Sequence, residues 1–198
     1  MPHGLLEAPS FVIVKALNEA SRHWLIWHKD LNDDAAMLFN TGIPAGSRFG
    51  PNAPTSNVFG VYGGQGNRGT TDFIGYCWHD VPGLQKFGSY TGNGNADGPF
   101  IELGFKPAIF WMKAASGSGA NWVIIDSKRP GYNSDQNTLC PNLDNGENAS
   151  GATTNDILSN GFKVRGTTDR NANGVTYIYC AWAEAPSINL YGAQANAR

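Results

Sequence analysis

Apolar residues occur along the chain in short runs separated by Gly, Asn and Pro, a pattern typical of β-strands. No segment sustains a helical period, and only 15–22 or 30–37 could hold a turn of helix. A further strand is expected at 86–95, between two larger groups of strands. The runs predict these two groups at 10–17, 23–29, 36–40, 57–62 and 72–80, and at 99–105, 108–115, 121–127, 138–143, 157–165 and 175–184.

The second group of runs repeats the first at an offset that drifts from 98 to about 104 residues. Segment 9–30 matches 107–128, and segment 72–82 matches 176–186. A strand pattern that recurs with its apolar positions kept indicates packing rather than chemistry. The two tryptophans of the signature are therefore predicted to be equivalent and buried. The repeated signature residues are Lys15, Trp24, Lys113, Trp122, Asp80 and Glu184.

This pattern predicts an all-β fold, an antiparallel β-sandwich of jelly-roll or lectin-like type built from two tandem repeats. We expect the first repeat, shortened at its N-terminus, at 1–85 and the second at 86–187. Residues 188–198 show no core pattern and are predicted to form a tail that lies along a partner.

Several predicted strands are continuously apolar, such as 11–14, 24–27, 109–112 and 122–125. A strand with one solvent-exposed face should alternate apolar and polar residues, so these strands are expected to be covered on both faces. The second cover could be a neighbouring repeat or a neighbouring subunit, and we favour the subunit. The first repeat also lacks the leading strands of the second, so its exposed edge should pair with something else.

Composition excludes several classes of function. Charged residues are 15% of the chain and the net charge is −2, so no basic surface for nucleic acid is expected. The N-terminus has no signal-peptide pattern, and no apolar run is long enough for a membrane span. Cys77, Cys140 and Cys180 lack metal spacing and are expected to be reduced thiols of a protein that folds in a reducing cytoplasm.

Catalytic chemistry is not indicated. Asp80 and Glu184 occupy matching places at the ends of apolar strands, and a glycosidase would need two facing carboxylates. A strand-end carboxylate that pairs with a lysine explains them better. Asp126 aligns with His28, so that position is expected not to keep its chemistry. No nucleophile elbow is present, and we predict that the protein is not an enzyme and binds no cofactor.

Asp169, Asn171 and Asn173, followed by Gly174, satisfy the first half of a calcium loop. Position twelve holds Cys180 where the loop needs a bidentate Glu. Because Asn, Asp and Gly also form tight turns without metal, a turn is favoured and no metal site is predicted.

Carbohydrate binding is the remaining functional option. Glycan sites combine exposed aromatic rings with amide, carboxylate and guanidinium groups that bind hydroxyls. The loop 128–148 supplies such groups, although a solvated connection would have the same composition. The candidate ligand-binding residues are Arg129, Tyr132, Asn133, Asp135 and Gln136.

The second repeat resembles a specific family. Its motifs are Phe-Gly-Ser-Tyr-Thr-Gly-Asn-Gly-Asn-Ala-Asp-Gly-Pro-Phe at 87–100, Asn-Trp-Val-Ile-Ile-Asp-Ser-Lys-Arg-Pro-Gly-Tyr-Asn at 121–133 and Ala-Trp-Ala-Glu-Ala-Pro at 181–186. They look like a repeated β-domain of tail fibres and related virion proteins of tailed bacteriophages, especially marine ones. The first repeat resembles the preceding repeat of such proteins.

The resemblance implies a structural virion protein, a tail fibre or receptor-binding module that recognises a host-surface glycan. It also implies self-assembly, most often as a homotrimer, contacts with other virion proteins and a place on the surface of the particle. One alternative is a capsid decoration protein or head fibre that grips the shell through 188–198. Another is a glycan-degrading enzyme on a lectin-like sandwich.

Overall fold

Over the residues that it describes, the computed structural model has twelve β-strands and one helical turn. The description covers residues 1–33, 35–39, 44–116, 121–129, 133, 137–147 and 155–185, with only the backbone at 44–47 and 64–65. The elements are β1 (Phe11–Ala16), β2 (Leu25–His28), β3 (Ala35–Leu38), β4 (Pro44–Ser47), α1 (Gly63–Gly66), β5 (Phe73–Trp78), β6 (Gln85–Thr91), β7 (Phe100–Glu102), β8 (Pro107–Ala114), β9 (Val123–Asp126), β10 (Asn155–Leu158), β11 (Gly161–Val164) and β12 (Thr176–Ala183).

The chain divides into two compact units, Met1–Asp80 and Val81–Arg198. The predicted boundary between 85 and 86 falls just inside β6, five residues after the observed division. The predicted tail 188–198 lies outside the described residues.

The first unit is built on one antiparallel sheet in the order β4-β3-β2-β1-β5. Apolar side chains from one face of this sheet form a core with Phe49, Phe59 and Val61, which follow β4. This core includes Val12 and Val14 because alternate residues of a strand point to the same face.

The strand β1 is buried on both faces within the single chain. All four residues of 11–14 are at most 6% exposed. The sequence expectation of two covered faces is therefore correct for this strand, and its cover comes from the chain itself. A neighbouring subunit as the second cover of the other apolar strands stays a prediction.

The second unit contains two antiparallel sheets, one in the order β6-β12-β8-β9 and one in the order β10-β11-β7. Side chains of both sheets form one core, in which the rings of Phe110 and Phe162 stack. Two sheets packed face to face in this way make a β-sandwich. The predicted all-β fold with antiparallel sheets is confirmed, while the described part of the first unit has a single sheet.

The two units pair their strands in matching registers. Phe11 pairs with His28 and Ile109 pairs with Asp126, 98 positions further along in both strands. Individual backbone bonds follow the same rule, since the N–H of residue 29 donates to the carbonyl of residue 10 at 2.9 Å and that of residue 127 to residue 108 at 2.8 Å. The origin of the units by duplication stays a prediction.

The strands β5 and β12 correspond at the second offset. Ala16 pairs with Phe73, and Ala114 pairs with Tyr177, 104 positions after Phe73. The six positions 73–78 therefore match 177–182 one by one. The sequence alignment of these two segments has the same register.

Several predicted strands differ from the structure. Segment 57–62 forms only single bridges, from Val58 to Pro2 and from Val61 to Phe49, and segment 138–143 bridges β9 only at Leu139. The predicted strand 157–165 is the hairpin β10–β11, because the chain turns at 159–160. Neither 15–22 nor 30–37 forms a helical turn in its described residues; α1 does instead.

Candidate functional site

A network of charged and amide groups holds the start of loop 128–148 against the end of β9. Asp126 accepts hydrogen bonds from the backbone N–H groups of Lys128 and Arg129, both at 2.9 Å, through Oδ1. Its Oδ2 pairs with Nε of Arg129 at 2.6 Å. The other end of the guanidinium, Nη1, pairs with Glu147. Glu147 also accepts a hydrogen bond from Nδ2 of Asn137 at 3.0 Å.

The charges of this Arg129 network are fixed by their neighbours. Burial alone would lower the pKa of Arg129, but its hydrogen bonds to Glu147 and Asp126 raise it above its ordinary value. Burial likewise opposes ionisation of Asp126, but the N–H groups of Lys128 and Arg129 and the guanidinium lower its pKa. The network therefore keeps a guanidinium between two carboxylates at the surface of the second unit.

Asn133 fixes the middle of the same loop. Its Oδ1 accepts the N–H of Ile157 at 2.9 Å and its Nδ2 donates to the carbonyl of Ile157 at 3.0 Å. The side-chain amide thus bonds to β10 as the backbone of a neighbouring strand would. Of the five candidate ligand-binding residues, only Arg129 and Asn133 are described, because Tyr132, Asp135 and Gln136 lie outside the described residues.

Sequence reasoning missed three members of the Arg129 network, namely Asp126, Asn137 and Glu147. A local signal existed for Asp126, since Asp followed two and three residues later by free N–H groups is typical of an Asx turn. Glu147 is 18 residues from Arg129 along the chain, and no spacing rule connects them.

Positions 28 and 126 share one backbone hydrogen bond, although their side chains differ in chemistry. The Nδ1 atom of His28 accepts the N–H of Asp30 at 3.1 Å, just as Oδ1 of Asp126 accepts the N–H of Lys128. Both side chains accept from the residue two positions later, so an imidazole and a carboxylate serve the same turn.

The two strand-end carboxylates each pair with lysine, as the simpler sequence interpretation expects. Asp80 pairs with Lys29. Glu184 pairs with Lys106 at 2.6 Å and with Lys128 at 2.8 Å. The hydrogen bond from Lys106, together with the one from Lys128, lowers the pKa of Glu184 to about 2.

The signature lysines and tryptophans differ between the units. Trp122 is fully buried, whereas Trp24 is 37% exposed, so the prediction of equivalent burial is wrong. The side chain of Asn142 accepts the N–H of Trp122 at 3.0 Å and holds the following segment beside it.

Lys113 is buried, and burial lowers its pKa to about 8. Lys15 is half-buried and donates from Nζ to the carbonyl of Arg22 at 2.8 Å. The lysine signature therefore belongs to packing and to backbone bonding.

The calcium candidate is occupied by protein hydrogen bonds. Asn171 is fully buried, and its Nδ2 donates to the carbonyls of Asn95 and Gly166, both at 2.7 Å, and to Oδ1 of Asn93 at 2.9 Å. Its Oδ1 accepts the N–H of Asn93 at 2.9 Å. Protein hydrogen bonds therefore account for both ends of the Asn171 amide, most of them to segment 93–95.

The other calcium-loop residues do not form a cluster of cation ligands. Asp169 lies in the left-handed region with φ 48° and contacts Arg170 at 3.5 Å. In the described part of the chain, no group of three or more His, Cys, Asp or Glu side chains could hold a metal ion. The same residues include no helix long and apolar enough to cross a membrane.

All three cysteines are free thiols. Burial raises the pKa of Cys77 to about 11 and also raises the pKa of Cys180, which is fully buried. Cys77 matches position 181 at the offset of 104, so Cys180 lies one residue out of register. Because neighbouring strand residues point to opposite faces, Cys77 and Cys180 lie on non-equivalent faces of their sheets.

Comparison with known proteins gives one family match. Residues 1–186 match the model described as "Domain of unknown function (DUF7483)". No curated protein and no solved structure matches the chain.

Proposed function

Because the chain belongs to the DUF7483 family, whose description assigns no activity, we propose its function from its own residues. The protein is a structural component of a tailed-bacteriophage particle, a tail fibre or receptor-binding module that contacts a host-surface glycan. The observation that carries this proposal is the resemblance of segment 87–186 to the repeated β-domain of such fibres. The low charge and the all-β architecture are compatible with it.

The Arg129 network supports the glycan part of the proposal. Protein sites for sugars rely on planar polar groups held in fixed positions, since fixed groups lose little conformational entropy on binding. Arg129 is held by Asp126 and Glu147, and its Nη2 has no hydrogen-bond partner among the described residues. Asn133 is exposed and also held by hydrogen bonds, so each of the two described candidates presents polar groups in a fixed position.

An enzyme of glycan degradation has less support. A general acid of a glycosidase needs a raised pKa, whereas the lysine pairs of Glu184 lower its pKa to about 2. The two lysine-paired carboxylates are better explained by local charge pairing, which is consistent with a protein that is not an enzyme.

The location on the particle is tested by labelling. Antibody raised against the full chain and gold-labelled should bind purified phage particles at the tail in electron micrographs. Label on the head would favour the capsid decoration protein, in which 188–198 grips the shell. Particles that carry no label, although the antibody recognises the denatured chain in the same lysate, would overturn the virion proposal.

The glycan is tested on an array of bacterial surface polysaccharides. The parent protein should bind at least one polysaccharide, and Arg129→Gln should weaken that binding by at least tenfold, about the effect of losing one charged hydrogen bond in a site. Arg22→Gln is the matched control, because Arg22 forms the same type of pair with Glu19, from Nε at 2.6 Å and three residues apart. Equal loss in both variants, or no binding by the parent, would overturn the glycan site.

A further inference from the structure

The strand β5 is an open edge of the first sheet. It pairs with β1 on one side, and among the described residues no strand lies on its other side. The middle of the strand reaches solvent, since Gly75 is exposed and Tyr76 is 42% exposed. An exposed edge of this kind can accept another strand.

The unpaired backbone groups of this edge can be assigned to residues. The N–H of Leu17 donates to the carbonyl of Asp72 at 2.8 Å, so position 72 bonds towards β1. Hydrogen-bonded and non-bonded positions alternate in an antiparallel pair, so 74, 76 and 78 also bond towards β1. The N–H and C=O groups of Phe73, Gly75 and Cys77 therefore point away from the sheet. No backbone hydrogen bond within the described residues uses them.

The second unit shows the same edge in a covered state. Tyr177, Tyr179 and Ala181 stand at the positions that match Phe73, Gly75 and Cys77, and they face β6. The N–H of Gly92 donates to the carbonyl of Val175 at 2.9 Å, which fixes the same alternation on that side of β12. The edge of β12 that corresponds to the open edge of β5 therefore binds an antiparallel strand. Among the described residues, only the second unit supplies such a strand.

The edge of β5 lacks the features that usually block association. Its sequence, Phe-Ile-Gly-Tyr-Cys-Trp, contains no charged residue and no proline. By contrast, the edge strand β6 carries Lys86. Because native edges are commonly guarded by lysine, proline or a bulge, an uncharged and exposed edge indicates a surface that is paired in the working protein.

We propose that a second copy of the chain covers this edge, with β5 pairing antiparallel to β5 of the other copy across a two-fold axis at Gly75. The outward positions are symmetric about Gly75, which would face itself while Phe73 faces Cys77. On the other face, Ile74 would lie opposite Tyr76, an aromatic and β-branched pair that stabilises antiparallel strands. No like charges meet in this register.

Glycine at the centre suits the close approach of two backbones. A side chain there would also contact Phe59, because a Cβ atom at Gly75 would lie 3.1 Å from its Cζ. The resulting contact is isologous, the commonest arrangement in homodimers. It holds whether or not the protein belongs to a phage particle, since it depends only on β5.

A charge test distinguishes this register from other contacts. The parent should show a concentration-dependent dimer in sedimentation velocity. The double variant Ile74→Lys with Tyr76→Lys places lysine opposite lysine. It should raise the dissociation constant of the dimer by about tenfold or more. Ile74→Lys with Tyr76→Glu places lysine opposite glutamate and should restore association. Tyr62→Lys is the control, because Tyr62 is 64% exposed and lies outside β5.

A covalent test covers the case in which lysine disturbs the fold. Ile74→Cys with Tyr76→Cys should give a disulfide-linked dimer under mild oxidation, because directly opposed residues of antiparallel strands lie within disulfide distance. Each single cysteine variant should remain at the parent level of cross-linking. A parent that is monomeric at every concentration, a trimer, or equal association of the lysine–lysine and lysine–glutamate variants would overturn the proposal.

Discussion

Phe110 of β8 and Phe162 of β11 stack with ring centroids 4.3 Å apart and planes 13° apart. This contact joins the two sheets of the second unit, and Tyr179 meets Phe162 edge to face at 5.7 Å. Aromatic pairs of this geometry add stabilisation beyond the area that they bury. The stack is therefore central to the sandwich.

The first unit has a counterpart to this contact in a different form. Val12 matches Phe110 at the offset of 98, and Phe59 matches Phe162 at the offset of 103. Val12 and Phe59 belong to the same core cluster, although in the described residues segment 49–61 forms isolated bridges rather than a second sheet. The apolar position has been kept while the element that carries it has changed.

The tryptophan pair gives a prediction of unequal cost. Trp122→Ala should lower the free energy of unfolding by about 3–5 kcal/mol, because a fully buried indole leaves a cavity. Trp24→Ala should cost less, about 1–2 kcal/mol, because the side chain already reaches solvent. Urea unfolding of both variants measures the difference, and equal midpoints would contradict the assigned burial.

The hydrogen bonds of Asn171 predict a structural effect without calcium dependence. Asn171→Ala removes the partner of part-buried backbone groups and leaves space at a fully buried side chain, so it should cost about 1–3 kcal/mol. Asn171→Asp should cost at least as much, since a carboxylate would face the carbonyls of Asn95 and Gly166. Thermal unfolding with calcium and with chelator checks both points. A melting temperature of the parent that rises with calcium would contradict the assignment of these hydrogen bonds.

The lysine pairs of Glu184 predict a stability effect that depends on pH. Its pKa of about 2 in the folded protein lies below the ordinary value of 4.5, so folding favours the ionised carboxylate. This contribution is present above the ordinary pKa and is lost as the pH falls from about 4.5 through about 2.

The measurement compares melting temperatures of the parent and Glu184→Gln across this range. The gap should be largest near neutral pH and should close in acid. Glu102→Gln, an equal change of charge at an exposed site on β7, controls for net charge. A gap that persists below pH 2 would show that the lysine pairs are not its cause.

Close contact between β7 and β11 predicts a strict need for glycine at position 161. A Cβ atom there would lie 2.0 Å from the carbonyl oxygen of Ile101, so the backbones would have to move apart. Gly161→Ala should therefore cost about 1–3 kcal/mol. Gly146→Ala is the control, because nothing lies within 4 Å of its Cβ position and its cost should stay within about 0.5 kcal/mol. Equal unfolding curves for the two variants would refute the contact.

The sequence predicted the long apolar strands well, because their runs and their repetition both mark them. The predicted strand 10–17 is β1 at Phe11–Ala16, and 175–184 is β12 at Thr176–Ala183. The strand β4 was missed because Pro44-Ala-Gly-Ser47 has neither apolar alternation nor β-branched residues, and its pairing with β3 is a matter of backbone bonds.

The candidate site was predictable only in part. Arg129 and Asn133 were named from residue type, but the partner of Asn133 and one of the two carboxylate partners of Arg129 are distant in sequence. Ile157 is 24 residues from Asn133, and Glu147 is 18 residues from Arg129. Local sequence spacing does not predict such hydrogen-bonded pairs, because the length and path of the intervening chain determine which side chains come into contact.

Because Cys180 is buried, its thiol can report on the opening of the β-sandwich of the second unit. A thiol reacts as its thiolate, so a raised pKa and full enclosure protect it from alkylating reagents and from oxidants while the fold is intact. Its modification rate should then follow the population of molecules in which the central strand β12 has come apart. Pulsed alkylation with mass spectrometry could thus time the unfolding of the sandwich without any introduced label.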